Sequence, residues 1–144
     1  MRKLFILVAA LMALIAQPAF ADEIGRVKNV TTGGIDVIRS GQTMRAQSGF
    51  RLQEGDIVVT RANQRVGITL IDNTRMSVAP GSRVIISKYR FNRAQRTGES
   101  EIEVQRGALG VDSGDLSATG NMRFKAGTST LGVRGTHFII EVDE

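Results

Sequence analysis

Residues 65–87 have the sequence RVGITLIDNTRMSVAPGSRVIIS, and this stretch indicates the fold class. Apolar residues alternate with small or polar ones from Val66 to Leu70, which is the period of a β-strand with one buried face. Asp72-Asn73 then predicts a tight turn, because asparagine tolerates the left-handed backbone that such turns require. Pro80-Gly81 predicts a type II turn, with the glycine at the position of positive φ. The stretch therefore indicates short strands joined by tight turns.

The same pattern continues on both sides of this stretch. The chain holds 16 glycines but only one proline beyond residue 21, and no window has the periodicity of an amphipathic helix. β-Branched segments separated by turn residues predict an all-β sandwich, barrel or solenoid. Arg83–Phe91 is expected to be the longest strand. Further strands are predicted at residues 24–30, 35–39, 56–60, 101–105, 122–126, 128–133 and 136–142, with loops at 92–98 and 116–121.

The first 21 residues have the organisation of a secretory signal peptide. Arg2 and Lys3 precede an uncharged apolar run, and Ala19-Phe20-Ala21 supplies small residues for cleavage after Ala21. The apolar run, residues 4–16, is shorter than the roughly 20 residues of a membrane span. An uncleaved membrane anchor is the alternative. We therefore expect an exported chain that begins at Asp22.

The composition of residues 22–144 narrows the classes of partner. This part carries 17 basic and 14 acidic residues, a mild excess that does not by itself indicate nucleic acid. An exported protein meets anionic lipids, polysaccharides and acidic proteins instead, so no nucleic acid is expected. No second apolar segment is long enough to span a membrane, so none is expected in the mature chain.

The sequence predicts no catalytic, metal or cofactor site. It has no cysteine, and a surface strand position is the default for its single histidine, His137, so the usual transition-metal clusters cannot form. A Ser-His-Asp set could use Ser113 or Ser129, but no nucleophile-elbow pattern is present. A glycan hydrolase using Asp56 and Asp72 is a further alternative, which needs a cleft and carboxylates roughly 5–10 Å apart. We expect a non-enzymatic protein without cofactors.

Residues 88–96, KYRFNRAQR, form the stretch with the most functional character. On a strand, Lys88 and Arg90 share one face while Tyr89 and Phe91 share the other. The favoured interpretation is a hairpin with a buried aromatic face and a solvated basic face. The alternative is a surface for an acidic glycan, lipid headgroup or acidic protein. That candidate surface comprises Lys88, Tyr89, Arg90, Arg93 and Arg96.

Four motifs, in this order and spacing, resemble the FecR-type periplasmic domain family. They are GDIVVT at 55–60, the stretch 66–87 with Asp72-Asn73-Thr74, VQRGAL at 104–109 and TSTLGVRGTHF at 128–138. The resemblance extends over about residues 24–142. It implies a FecR-like all-β domain at residues 22–144, after the signal peptide at 1–21. The implied fold has short strands in two facing sheets, sandwich-like, with a partial β-helical, solenoid-like winding.

The resemblance also implies a place in the cell envelope. The regulator after which the family is named joins a cytoplasmic anti-sigma segment, a membrane span and a periplasmic sensing region. This chain begins with a cleavable signal instead, which favours an exported periplasmic module that binds or scaffolds an envelope protein or glycan. The alternative is a sensory component of an envelope signalling system that works with a separately encoded membrane protein.

The residues of these motifs are expected to have structural roles. Gly55 is expected to adopt a left-handed turn, and Asp56 to accept hydrogen bonds from backbone N–H groups. Arg134 is expected to hold neighbouring carbonyls or Asp56, and Gly135 to allow a bulge; bidentate binding of an anionic ligand by Arg134 is the alternative. The complete set is Gly55, Asp56, Thr60, Asp72, Gly107, Arg134, Gly135 and Thr136.

Overall fold

The computed structural model describes residues 22–135 and 137–143. The predicted signal peptide at 1–21 and the motif residue Thr136 lie outside the described residues. Within them the protein is all-β, as predicted, with one short 3₁₀ helix at Asp115–Thr119. The strands are β1 (Gly25–Val30), β2 (Ile35–Arg39), β3 (Gln42–Ala46), β4 (Arg51–Leu52), β5 (Ile57–Val59), β6 (Val66–Leu70), β7 (Arg75–Val78), β8 (Arg83–Asn92), β9 (Thr97–Asp112), β10 (Met122–Ala126), β11 (Ser129–Val133) and β12 (His137–Val142).

Hydrogen bonds connect all of these strands into one curled sheet. The first part of β9 pairs with β8 and β10, and its last part pairs with β7 and β12. The first half-sheet therefore has the order β3-β2-β5-β8-β9-β10-β11, and the second has the order β4-β1-β6-β7-β9-β12. The expected sandwich of two facing sheets with solenoid-like winding is not confirmed, because β9 belongs to both halves.

The strand alternation predicted from the sequence determines which residues form the core. Val66, Ile68 and Leu70 are each no more than 2% exposed, as the pattern in β6 predicts. Ile102 and Phe124, from the first half-sheet, are also buried and belong to the same hydrophobic cluster. Each buried aliphatic side chain contributes about 1.5–3 kcal/mol relative to an exposed position. The two half-sheets are thus stabilised by one shared core.

The structure corrects two predictions about individual elements and adds two strands that the sequence did not indicate. The longest strand is β9, with 16 residues, and not β8, with 10, because β9 continues through Gly107 and Gly110. The strands β3 and β4 have few apolar residues and gave no periodic signal. Residues 116–121, expected as a loop, include most of the 3₁₀ helix, whose Leu116 is fully buried.

Candidate functional site

The outward face of the second half-sheet carries an open depression of about 710 Å³. In an antiparallel sheet, residues directly opposite each other on adjacent strands have neighbouring side chains, so the strand registers define rows that cross the strands. The central row takes one residue from each of β12, β9, β7, β6 and β1. In that order it consists of Ile139, Gly110, Ser77, Gly67 and Asn29.

This central row is the floor of a trough. Gly110 and Gly67 have no side chain and Ser77 has a short one, so the surface is low along the row. Adjacent strands lie about 4.8 Å apart, which makes the row about 19 Å long across five strands. We call this depression, with its floor and the two flanking rows, the trough.

The two flanking rows form the walls of the trough and differ in character. One wall contains His137, Asp112 and Arg75, which are aligned across β12, β9 and β7. Arg75 and Asp112 form an ion pair, so their charges largely compensate each other. The other wall contains the small residues Ala108, on β9, and Ala79, directly after β7. The Ala79 N–H donates to the Ala108 carbonyl.

The two ends of the trough have different chemistry. At the β12 end the side chain of Ile139 is exposed, with 72% of its surface open to solvent. Toward the β1 and β6 end the lining includes Lys28 and Arg65, both exposed and neither in a direct ion pair with a described residue. The trough is therefore aliphatic at one end and cationic at the other.

Tyr89 cannot belong to the predicted basic surface, which is a correction. It is 3% exposed, and its hydroxyl donates to Asp72 Oδ1 at 2.6 Å and accepts from the Asp72 N–H at 3.2 Å. Burial, aided by the hydrogen bond to Asp72, raises the pKa of Tyr89 far above its ordinary value. Phe91 is half-buried on the same face, while Lys88 and Arg90 are exposed. This arrangement matches the hairpin interpretation of residues 88–96.

The cations around Tyr89 are mostly engaged with their own fold. Lys88 lies 3.3 Å from a carboxylate oxygen of Glu99, and Arg96 lies 2.7 Å from one of Asp115. Arg93 donates to the Ile71 carbonyl at 3.1 Å. Such exposed pairs contribute little to stability, about 0–1 kcal/mol each, but they reduce the charge available to a partner.

Asp56 is fully buried and bonded within the fold. Its carboxylate accepts two hydrogen bonds from Arg39, at 2.8 and 2.7 Å, and one from the Gln53 N–H at 2.9 Å. These hydrogen bonds to Asp56 raise the pKa of the Arg39 guanidinium. The arginine partner of Asp56 is therefore Arg39 and not Arg134. Gly55, just before it, has the left-handed φ of +88° that the turn requires.

The remaining motif residues are placed as follows. Thr60 is buried, donates to the Ala79 carbonyl at 2.6 Å and accepts from the Ser82 N–H at 2.9 Å. Arg134 is exposed, with its guanidinium against Gly120, and Gly135 has a positive φ of 55°. None of these three lines the trough.

Asp72, weighed as half of a catalytic pair with Asp56, is also fully buried. Besides the Tyr89 hydroxyl, its carboxylate accepts from the Thr74 hydroxyl at 2.7 Å and the Leu116 N–H at 3.1 Å. Both carboxylates are thus bonded inside the fold and neither faces the trough. Among the described residues, no three acidic or histidine side chains are grouped to hold a metal ion.

The trough was not predicted from the sequence, although the sequence contains a signal for it. Gly67 and Gly110 occupy outward positions inside strands, where a glycine often marks a bulge or the close approach of a ligand. His137 was assigned to a surface strand, and the structure places it on the wall of the trough. What the sequence could not show is the register that aligns these positions.

Comparison with protein-family models matches the one described as FecR protein over residues 56–144. This match confirms the resemblance derived from the motifs for that part of the chain. No curated protein and no solved structure gives a significant match. Within the described residues, no helix has the length and apolar character needed to cross a membrane.

Proposed function

This chain belongs to the FecR protein family, and we therefore propose that it is an exported regulatory module of the bacterial envelope that acts by binding a partner. The family suggests a component of envelope signalling or regulation. The signal peptide predicted at residues 1–21 supports export to the periplasm. Binding without catalysis is the simplest use of a fold whose buried carboxylates are engaged in internal hydrogen bonds.

The observation that carries this proposal is the separation between the core and the trough. The polar motif residues Asp56, Thr60 and Asp72 are buried and serve the fold. The trough lies on the opposite side of the second half-sheet from the core, is open to solvent and combines an exposed aliphatic residue with two cations that form no direct ion pair with a described residue. An open depression that carries cations is suited to holding a partner, since complementary charge across an interface speeds association and discriminates against wrong partners.

The partner is proposed to be an envelope protein, which makes the module a scaffold for signalling. The second candidate is a sensory component that transmits a signal to a separately encoded membrane protein, and family membership favours it. The scaffold and the sensory component differ in one respect: only for the sensory component does the membrane protein change its activity when this module binds.

Site-specific photo-crosslinking in the organism that encodes the chain tests the proposal. A photo-reactive residue in place of Ser77, on the floor of the trough, is expected to give a discrete adduct with an envelope protein. The same residue in place of Thr130, exposed on β11, is the matched control and is expected to give none. The periplasmic fraction should contain the protein with Asp22 at its N-terminus. A cytoplasmic location, or equal crosslinking from both positions, would contradict the proposal.

A further inference from the structure

We propose that the trough binds an extended acidic segment of the partner protein, with an aliphatic side chain on Ile139 and carboxylates at the Lys28 and Arg65 end. This inference rests on the proposed function, since it names the chemistry of the partner. It goes further because it assigns the binding site to one face of the second half-sheet. It also gives the bound segment a direction, from Ile139 toward Lys28 and Arg65.

The charges of the lining select an acidic occupant. Lys28, Arg65 and Arg75 face a single carboxylate, that of Asp112, which is already paired with Arg75. Two cations therefore remain uncompensated by described residues along the lining. Complementary charge speeds association and discriminates against basic partners. A carboxylate near Arg65 can accept two parallel hydrogen bonds from its guanidinium.

The shape of the trough suits an extended peptide. At about 3.3 Å per residue, a length of about 19 Å accommodates about six extended residues. No phenylalanine, tyrosine or tryptophan lines the trough among the described residues, and sugar rings are commonly held by stacking on the faces of these side chains. The exposed Ile139 instead offers an aliphatic contact, which a peptide side chain can complete. These features favour a peptide over an anionic glycan.

The open floor is not required by the backbone. A Cβ added at Gly110 would come no closer than 3.8 Å to another group, and one at Gly67 no closer than 3.6 Å. Neither residue has a positive φ. Glycine inside a strand costs about 0.5–1 kcal/mol relative to alanine, so the fold alone gives no reason for glycine at these two positions. The need for space to hold a bound peptide explains glycine at both positions.

Selection from a phage-displayed library of random octapeptides tests the inference on the purified protein. We expect the enriched peptides to combine acidic and aliphatic residues. Labelled copies of the enriched peptides should bind at least about tenfold more weakly to Gly110→Val and Gly67→Val, in which a side chain fills the floor. Arg65→Glu should weaken them by about tenfold through charge reversal.

Gly132→Val is the matched control. It makes the same substitution on a strand, β11, with no atom within 4 Å of the added Cβ and no positive φ, and it lies outside the trough. It should leave peptide binding unchanged. Thermal unfolding of each variant should show a folded protein, since valine is favourable in strands.

Three results would overturn the inference. They are no enrichment, enrichment of basic or uncharged peptides, and equal affinity for Gly110→Val and the unaltered protein. Saturable binding of polyuronate oligomers that is lost in Gly110→Val would assign the trough to a glycan instead. If the Ser77 crosslink yields an envelope partner whose binding persists in Gly110→Val, the proposed function stands and this inference fails. If acidic peptides bind as expected but no envelope partner is found in cells, the trough is a site for acidic peptides and the proposed function fails.

Discussion

At the scale of single residues, the two buried aspartates are satisfied inside the fold. Asp56 and Asp72 are fully buried, and each carboxylate accepts at least three hydrogen bonds. A buried carboxylate without such partners would be strongly destabilising. Asp72 is of particular interest because it connects the β6–β7 turn, Tyr89 of β8 and the start of the 3₁₀ helix.

Replacing Tyr89 by phenylalanine should change how stability depends on pH. At pH 7, Tyr89→Phe should lower the free energy of unfolding by about 1–3 kcal/mol, because Asp72 loses a buried hydrogen-bond partner. The raised pKa of Tyr89 in the folded state means that its contribution is present below the unfolded pKa of about 10 and is lost as pH rises above it. The unaltered protein should therefore lose up to about 1.4 kcal/mol per pH unit more than the variant between pH 10 and 11.5.

Chemical denaturation across this pH range measures the effect. The difference in unfolding free energy between the two proteins should shrink as the pH rises. A constant difference from pH 7 to 11.5 would show that the folded protein does not hold Tyr89 in its neutral form.

At the scale of elements, the passage of β9 from one half-sheet to the other at Gly107 decides the architecture. Gly107 has φ +81°, and it stands where β9 passes from the first half-sheet to the second. A Cβ there would lie 2.7 Å from the Ser82 Cα and 2.2 Å from its hydroxyl, which accepts a hydrogen bond from the Ala108 N–H. The close approach and the left-handed backbone both require glycine.

Gly107→Ala should destabilise the protein by about 2–4 kcal/mol, from the left-handed backbone and the contact with Ser82. Gly110→Ala, three residues further along β9, is the matched control. It has room for a methyl group and should be neutral or more stable by about 0.5–1 kcal/mol. Urea unfolding of both variants tests this. Equal stability of the two variants would mean that position 107 tolerates a side chain.

At the scale of the whole molecule, the shared strand and the shared core make the two half-sheets one cooperative unit. Buried residues of both halves belong to a single hydrophobic cluster. β9 is a central strand of both halves, so one half cannot unfold without disturbing a strand on which the other half depends. Small domains of this kind usually unfold in one transition.

The two half-sheets should therefore unfold together. Tyr89 is the only tyrosine and the chain has no tryptophan, so intrinsic tyrosine fluorescence reports on β8 of the first half-sheet and on its hydrogen bond to Asp72 in the β6–β7 turn. Amide hydrogen exchange in β1 and β6 reports on the second. Fluorescence, far-UV circular dichroism and the loss of exchange protection should give the same midpoint in denaturant. Earlier loss of the tyrosine signal would show that the half-sheets are separate units.

Much of the strand content could be predicted because it depends on local patterns. The bounds of β2 and β10 are as predicted, and the inward positions of β6 follow from their alternation. Asn73 has the positive φ expected of its turn. By contrast β3, with the sequence QTMRA, forms because β2 offers it a partner, which no periodicity in its own residues indicates.

The sequence by itself determined the family, the all-β class and most of the strands, because turn chemistry and two-residue alternation are local properties of the chain. Only the tertiary structure decided that β9 joins both halves, that Asp56 pairs with Arg39, and that Gly67 and Gly110 become neighbours of Ser77 in one row. Those relations depend on the registers between strands far apart in the chain. Register is selected by burying whole faces together, and that free energy belongs to the folded molecule and to no single segment.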